Sequence, residues 1–177
     1  MTLDSGSDRD DQFSAWAAAR RASLLRGAFL LCGEWSTAED LVQEALVKVY
    51  VAWPRDVVRS PDAYARRVVL NAYLDLRRRP WRRREQSTER LPERAILPGL
   101  EAAEIDALQV ALRGLAPRQR ATVVLRHWFG LSVEETAREL GCSTGTVKSQ
   151  TSDAVRRLRS VLGEDATPSE SAGTLSQ

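Results

Sequence analysis

The stretch LGCSTGTVKSQ, from Leu140 to Gln150, places a glycine, hydroxyl residues and a lysine around a single valine. Short hydroxyl side chains and glycine let a backbone approach a groove closely, and a free helix N-terminus attracts phosphate. Upstream, RRRPWRRR from Arg77 to Arg84 sets six arginines around Trp81. Clustered arginines neutralise phosphates, and an interleaved tryptophan can stack on an unpaired base. Both stretches favour contact with nucleic acid, and an ordinary solvated surface is the alternative for each.

Residue types that usually carry catalysis or bind metals are sparse in this sequence. Cys32 and Cys142 stand far apart, so neither a disulfide framework nor a cysteine zinc site is indicated, and we expect both to be small buried side chains. His127 is the only histidine, which makes a serine triad or a histidine metal cluster hard to build. Carboxylate or lysine chemistry stays open. We nevertheless expect no enzyme, no cofactor and no metal.

Charge and hydropathy set the broad class of the protein. The chain has 177 residues, 43% of them hydrophobic, which suffices for one ordinary domain or two small ones. No apolar run approaches the roughly 20 residues of a membrane span, and MTLDSGSDRDDQF is acidic where a signal peptide is basic and then apolar. We therefore expect a soluble, cytoplasmic protein without membrane insertion.

Apolar residues recur every three or four positions, and no hairpin dipeptide separates alternating runs, so the sequence predicts an all-α fold. A first helix is expected over Gln12 to Leu31. A second begins with the capping-box pattern Ser36-Thr37-Ala38-Glu39 and ends before Pro54. Its apolar stripe is expected to be buried. The polar residues that share its other side are Asp40, Gln43 and Glu44.

Ser60 and Pro61 supply a cap and a first-turn proline for a third helix, which Pro80 ends at about Arg79. Its inward residues are predicted to be Tyr64, Val68, Ala72 and Leu76, and a different face collects Asn71, Asp75 and Arg78. The segment from Glu85 to Glu101 holds two prolines and a glycine and has no sustained period, which indicates a flexible linker.

Beyond the linker, Ile105, Leu108, Leu112 and Leu115 predict another amphipathic helix, and a further one runs from Pro117 to Gly130. A short helix from a second capping box at Ser132 to Leu140, a left-handed turn at Gly141 and a last helix capped by Ser143 then form a helix-turn-helix. Its packing requires small or apolar residues at Ala137 and Val147. The opposite side of the last helix is expected to expose Gly145, Ser149, Ser152, Asp153 and Arg156, with Lys148 at the flank.

Taken together, AEDLVQEALVKVYVAW, SPDAYARRVVLNAYLDLRRR, LAPRQRATVVLRHWFGLSVEETARELGCSTGTVKSQ and RRLR resemble the extracytoplasmic-function sigma factors of bacterial RNA polymerase. Within that family the likeness is greatest to the SigE-like actinobacterial type, and it covers Phe13 to Leu162. The resemblance implies a two-domain initiation factor whose partners are core RNA polymerase and promoter DNA. It divides the chain into a sigma-2 domain at 12–84, a linker at 85–101 and a sigma-4 domain at 102–163, between disordered tails at 1–11 and 164–177.

The resemblance also implies roles for individual residues. Asp40, Gln43 and Glu44 would meet the clamp helices of the largest polymerase subunits. The loop from Pro54 to Asp62 would help to capture bases of the opened −10 element. The −10 residues implied in the third helix are Tyr64, Arg67 and Asn71, with Arg77 and Arg78 on the adjacent backbone. Those implied for the −35 element are Arg126, Thr144, Gly145, Thr146, Lys148, Ser149, Ser152 and Arg156.

Two positions depart from the family pattern, and other interpretations are open. Thr151 stands where a larger apolar residue is common, and Asp153 stands where a basic residue often touches DNA, so the −35 preference is expected to differ from that of relatives.

The main alternative function is a helix-turn-helix regulator that binds operators without joining polymerase. That alternative does not explain the polar face of the second helix or the arginine-rich third helix. Many family members are held inactive by an anti-sigma protein, which makes such a protein a candidate partner here.

Overall fold

The computed structural model describes residues 4–53, 60–78, 97 and 99–163. These residues form seven α-helices, and there is no β-strand among them, so the predicted all-α class is confirmed. The helices fall into two units that divide between Ala95 and Ile96. None of the described helices is long and apolar enough to cross a membrane.

The first unit is a bundle of three helices, α1 (Asp4–Cys32), α2 (Trp35–Ala52) and α3 (Pro61–Arg78), each packed against the other two. Fully buried alanines let the helices approach closely, with one example on each helix at Ala28, Ala45 and Ala65. Larger side chains fill the space between them. The buried residues that define this core include Leu24, Leu31, Leu41, Val42, Val49, Val69, Leu70 and Tyr73.

The first helix begins eight residues earlier than predicted, because the structure places Asp4 to Asp11 within α1. The acidic residues of this segment favour a helix start, since the N-terminal end of a helix carries a partial positive charge. Two contacts also support it. Gln12 donates to Asp8 at 2.9 Å, and the Tyr50 hydroxyl of α2 donates to Asp10 at 3.2 Å.

The capping box predicted at Ser36 is wrong, because the N-cap lies two residues earlier, at Glu34, and α2 begins at Trp35. Instead of capping backbone groups, the hydroxyls of Ser36 and Thr37 donate to the Glu34 carboxylate at 3.3 and 2.8 Å. Trp35 packs edge-on against Phe29 of α1, with ring centroids 4.6 Å apart. This contact between two helices favours a helix that already includes Trp35. It could not be predicted from the local sequence pattern, because its two residues lie on different helices.

The buried face of α3 lies about one residue away from the predicted one. Ala65, Val69 and Tyr73 are almost fully buried, whereas Tyr64, predicted to point inward, is 36% exposed. Val68 is buried as predicted. The sequence offers two overlapping apolar series, and packing against α1 and α2 selects the one that begins at Ala65. The predicted end of the helix at Arg79 lies outside the described residues.

The second unit contains α4 (Ala102–Arg113), α5 (Pro117–Val123), α6 (Val133–Leu140) and α7 (Thr144–Leu162). The last helix packs against the other three and is therefore the centre of the unit. Of the predicted inner residues after the linker, Ile105, Leu112 and Leu115 are buried, whereas Leu108 is half-buried. Ala121, Val124 and Leu125, further along the chain, are buried too. Leu97, from the segment predicted as a linker, is buried as well.

A π-helical turn, Val124–Trp128, follows α5 directly and was not predicted. It is closed by a hydrogen bond from the Phe129 amide to the Val124 carbonyl, 3.1 Å long and spanning five residues. Gly130, at φ +66°, then takes the left-handed conformation that ends the segment. The two cysteines, expected to be buried, are half-buried, and the thiol of Cys32 donates to the Glu34 carbonyl at 3.1 Å.

Candidate nucleic-acid and protein interfaces

Helices α6 and α7 form the predicted helix-turn-helix. Ser132 caps α6 by accepting from the Glu135 amide at 3.1 Å, and the Glu135 carboxylate accepts from the Ser132 amide at 2.7 Å. Gly141 follows with φ +61° and ψ +43°, which is the left-handed turn that glycine adopts without strain. Ser143 then caps α7 by accepting from the Thr146 amide at 3.1 Å. All three local predictions are confirmed.

The packing positions expected of this motif are occupied as predicted. Ala137 is 5% exposed on α6, and Val147 and Ala154 are completely buried on α7. These small and apolar residues fix which side of α7 faces the unit. The opposite side is therefore free to meet a partner.

The outer face of α7 carries most of the residues predicted to approach the −35 element. At about 100° per residue, the exposed residues among them lie within one arc of the helix surface. Its exposed members, called the α7 face from here on, are Gly145, Lys148, Ser149, Ser152 and Arg156. Thr144 is exposed at one border of this arc. Thr146, at the other border, is half-buried and its hydroxyl lies 2.9 Å from that of Ser143, so it takes part in the helix cap.

The two departures from the family pattern lie on opposite flanks of the α7 face, since residues two positions apart on a helix point about 160° away from each other. Oδ1 of Asp153 lies 3.2 Å from Nη2 of Arg156, so the carboxylate forms an ion pair with a member of the α7 face. Thr151 is half-buried and donates to the Val147 carbonyl at 2.8 Å. The hydroxyl of Thr151 is thus satisfied within its own helix.

Arg126 lies in the π-helical turn and is half-buried, away from the helix that carries the other predicted −35 residues. Its Nη1 donates to the carbonyl of Leu131, in the connection that leads to α6. In this structure Arg126 therefore braces the start of the helix-turn-helix. Its predicted contact with DNA stays a prediction.

A side-chain contact that was not predicted connects α7 to α5. The hydroxyl of Thr122, fully buried on α5, lies 2.8 Å from Oε1 of Gln150 and 2.9 Å from the carbonyl oxygen of Arg118, in hydrogen-bond contact with both. This contact joins α5 to the side of α7 that faces the unit. A threonine within an apolar run and a glutamine 28 positions later give no local pattern that would reveal this pair.

The third helix exposes a second polar stripe. Tyr64, Arg67, Asn71 and Arg78 are all exposed and lie within one arc of α3, together with Asp75. We call this stripe the α3 face. Nη1 of Arg78 lies 3.8 Å from Oδ1 of Asp75. Arg77 is also exposed but lies about 100° further round the helix, so the structure does not bring it onto the same stripe as Arg78.

Two segments predicted to contact nucleic acid lie partly outside the described residues. Residues 54–59 of the predicted base-capturing loop and residues 79–84 of the arginine run lie outside the described residues. The described ends of these segments are Trp53, Ser60 and Arg78.

Asp40, Gln43 and Glu44 form an exposed polar face on α2, as the helical spacing predicts, and we call it the α2 face. Glu44 accepts a hydrogen bond from Nζ of Lys48 at 2.6 Å, and this contact raises the pKa of Lys48. Along the same arc, Val47 and Val51 leave 53% and 58% of their surface exposed. Because exposed valines are costly to hydrate, this arc has the mixed polar and apolar character of a protein-binding surface.

The comparison with protein families matches both units. Residues 16–83 match Sigma-70 region 2, and residues 105–158 match Sigma-70, region 4. The first match contains the α2 and α3 faces, and the second contains the whole helix-turn-helix.

Curated relatives and solved structures agree with these matches. The RNA polymerase sigma-E factors of Streptomyces avermitilis and Streptomyces coelicolor are each 42% identical over 156 residues, which cover 85% of this chain and 85% and 86% of those proteins. The sigma factor RpoE of Bartonella quintana, solved in complex with the anti-sigma factor NepR, is 27% identical. It matches with a TM-score of 0.69 over 87% of this chain and 98% of its own. With both family regions present in order, this chain belongs to the sigma-70 family of bacterial RNA polymerase sigma factors, within its SigE-like extracytoplasmic-function group of actinobacteria.

Proposed function

We propose that this sigma factor acts through three separate faces on its two units. The α2 face binds core RNA polymerase, the α3 face holds the opened −10 element, and the α7 face enters the major groove of the −35 element. The observation that carries this division is that each face is exposed on its helix while the opposite side is buried. The first two faces lie within the residues that match region 2 and the third within those that match region 4, which supports the proposed division.

Chemical composition supports the assignment of each face. The α3 face combines arginines with an asparagine and a tyrosine, which can neutralise phosphates, hydrogen-bond base edges and stack on an unpaired base. The α7 face has one glycine, two serines and two basic residues, so backbone and side chains can both approach a groove. The α2 face carries carboxylates, which repel DNA but suit a basic protein surface.

The proposed task requires no catalytic group from this chain, since the polymerase itself forms the phosphodiester bonds. We therefore expect no enzyme activity, cofactor or small-molecule substrate, and we expect the protein to act in the cytoplasm, where bacterial polymerase transcribes. We also propose an anti-sigma factor as a regulatory partner. The support is the Bartonella quintana relative, which was solved with such a factor bound.

Two linked experiments test the function. The purified chain should copurify with core polymerase in the absence of DNA, and the resulting holoenzyme should give discrete run-off transcripts from fragmented genomic DNA. A helix-turn-helix regulator of operators would bind DNA fragments without retaining core polymerase. Failure of the holoenzyme to start RNA at any defined site would contradict the proposal.

A further inference from the structure

Four aromatic side chains, two from α1, one from α2 and Trp53 directly after α2, form a cluster at one end of the first unit. Phe13 lies at the centre, with ring-centroid distances of 5.0 Å to Tyr50, 5.5 Å to Trp53 and 5.8 Å to Trp16. Trp16 also contacts Trp53 at 5.5 Å. Tilted and edge-on pairs at these distances attract each other, so Phe13 on the same helix and Trp53 after α2 together restrict the indole of Trp16.

The restricted indole makes a directed contact with the third helix. Nε1 of Trp16 donates to Oδ1 of Asp62 at 2.8 Å, and Nε of Arg20 lies 3.2 Å from the same oxygen. Asp62 belongs to the first turn of α3, whereas both donors lie on α1. These contacts therefore attach the beginning of α3 to α1.

The position of Asp62 on α3 determines which side of the first turn faces α1. At about 100° per residue, Asp62 lies on the opposite side of the helix from the centre of the α3 face. Holding its carboxylate against α1 therefore turns Tyr64, only two residues later, towards the outside. The exposure of Tyr64, despite its apolar ring, agrees with this constraint.

We propose that Trp16, supported by Arg20, is a positioning residue for recognition of the −10 element. It acts through Asp62, which sets the rotation of the first turns of α3 and with it the direction of Tyr64 and Arg67. This inference rests on the proposed function, because it gives Trp16 a task only if the α3 face binds promoter DNA.

A purely stabilising role is the competing explanation, and exposure argues against it. The side chains of Arg20 and Asp62 are 55% and 36% exposed, and ion pairs this accessible to solvent contribute little to folding. Val69 and Tyr73, further along α3, are buried in the core and hold the helix in the bundle. Loss of the Trp16 hydrogen bond should therefore change the direction of the first turn more than the stability of the bundle.

Trp16→Phe tests the inference because phenylalanine keeps an aromatic ring but removes the N–H donor. The holoenzyme is assayed for open-complex formation on a promoter fragment recovered from the run-off experiment and on the same fragment with a scrambled −10 element. The ratio of the two rates measures −10 discrimination. A loss of folded protein lowers both rates equally and cancels in the ratio, so a merely structural role would not move it.

The matched control is Trp53→Phe, which removes an indole from the same cluster but not the donor to Asp62. We expect discrimination to fall about five- to tenfold in Trp16→Phe, the scale of the net contribution of one hydrogen bond, and to stay within about twofold in Trp53→Phe. Asp62→Ala should reproduce the loss, whereas Asp62→Asn, which keeps an acceptor oxygen, should largely retain discrimination.

Two outcomes would overturn the inference. If Trp16→Phe keeps wild-type discrimination while the wild-type holoenzyme initiates normally, the positioning role is wrong and the sigma function stands. If Trp16→Phe and Trp53→Phe lose discrimination equally, ring packing rather than the hydrogen bond is responsible. A wild-type holoenzyme that starts RNA at no defined site would instead remove the proposed function itself.

Discussion

Asp153 and Arg156 form an ion pair on α7, with Oδ1 of the aspartate 3.2 Å from Nη2 of the arginine. The pair places a negative charge beside the face that is proposed to enter DNA. It also offers Arg156 an intramolecular partner that competes with phosphate. We therefore expect an acidic residue at this point to weaken non-specific attraction to the DNA backbone.

Replacing Asp153 with asparagine should strengthen binding of the holoenzyme to duplex promoter DNA about two- to fivefold, the scale of an exposed ion pair. If the released Arg156 gains one phosphate contact, the salt dependence should steepen by about 0.9 logarithmic units. Titration of a labelled duplex at several salt concentrations measures both quantities. Asp106→Asn, an equal charge change at an exposed position on α4, is the control. Equal strengthening by the two variants would contradict a local effect.

Substitutions at the two glycines of the helix-turn-helix, Gly141 and Gly145, distinguish effects on stability from effects on DNA binding. Gly145 lies on the α7 face in a helical conformation, and the nearest atom to an added Cβ is Oγ of Ser143 at 3.7 Å. Gly145→Ala should therefore raise the free energy of unfolding by up to about 0.5 kcal/mol, since alanine loses less backbone entropy. The same methyl group should weaken −35 binding, because it holds the helix backbone away from the groove. Urea unfolding and promoter titration measure the two effects.

Gly141→Ala is the matched control for this prediction. Gly141 has a φ of +61°, so alanine is strained there and should lower the free energy of unfolding by about 1 kcal/mol. The two glycine variants should thus change stability in opposite directions. Unchanged promoter binding by Gly145→Ala would remove Gly145 from the surface that meets DNA.

The features that could be predicted from the sequence are those decided within a few residues. The cap at Ser132, the left-handed turn at Gly141 and the cap at Ser143 depend on contacts no more than a few positions apart, and all three are confirmed. The exposure of Asp40, Gln43 and Glu44 also followed from helical spacing alone.

The features that were missed depend on contacts between helices. The start of α2 follows the packing of Trp35 on Phe29, and the buried side of α3 follows the choice between two apolar series. Arg120 is a further example. It is 1% exposed, which is rare for arginine, and its Nε donates to the Leu112 carbonyl at 2.7 Å, thereby joining α5 to α4. A burial of this kind cannot be read from local composition.

Charge reversal on α2 tests the polymerase interface. Asp40→Lys combined with Glu44→Lys should weaken binding to core polymerase at least about tenfold, because two repulsive contacts replace two attractive ones. The helix should remain folded, since both side chains are exposed. Glu44→Lys also turns the contact with Lys48 into a repulsion, but such pairs on a helix surface cost only about 0.5 kcal/mol. Affinity is measured by titration without DNA, and circular dichroism reports the helix content.

Glu39→Lys and Asp40→Lys provide the matched comparison for this interface. The two residues are adjacent and exposed, but they lie about 100° apart on the helix, and Glu39 is outside the arc of Gln43 and Glu44. Asp40→Lys should therefore weaken polymerase binding more than Glu39→Lys. Equal losses would indicate a general effect of charge and contradict the assignment of this face.

Arg77 and Arg78 test the role of the α3 face in holding the opened strand. Replacing both with alanine should lower open-complex formation more than it lowers binding to core polymerase, since their guanidinium groups are proposed to contact DNA phosphates. Because Arg78 lies on the stripe with Tyr64, Arg67 and Asn71 whereas Arg77 lies about 100° away, Arg78→Ala should cause the larger share of the loss. Open complexes are counted with a fluorescent probe in the −10 region, and polymerase binding is titrated separately. If polymerase binding and promoter opening decrease to the same extent, these arginines stabilise the complex with polymerase and do not hold the strand.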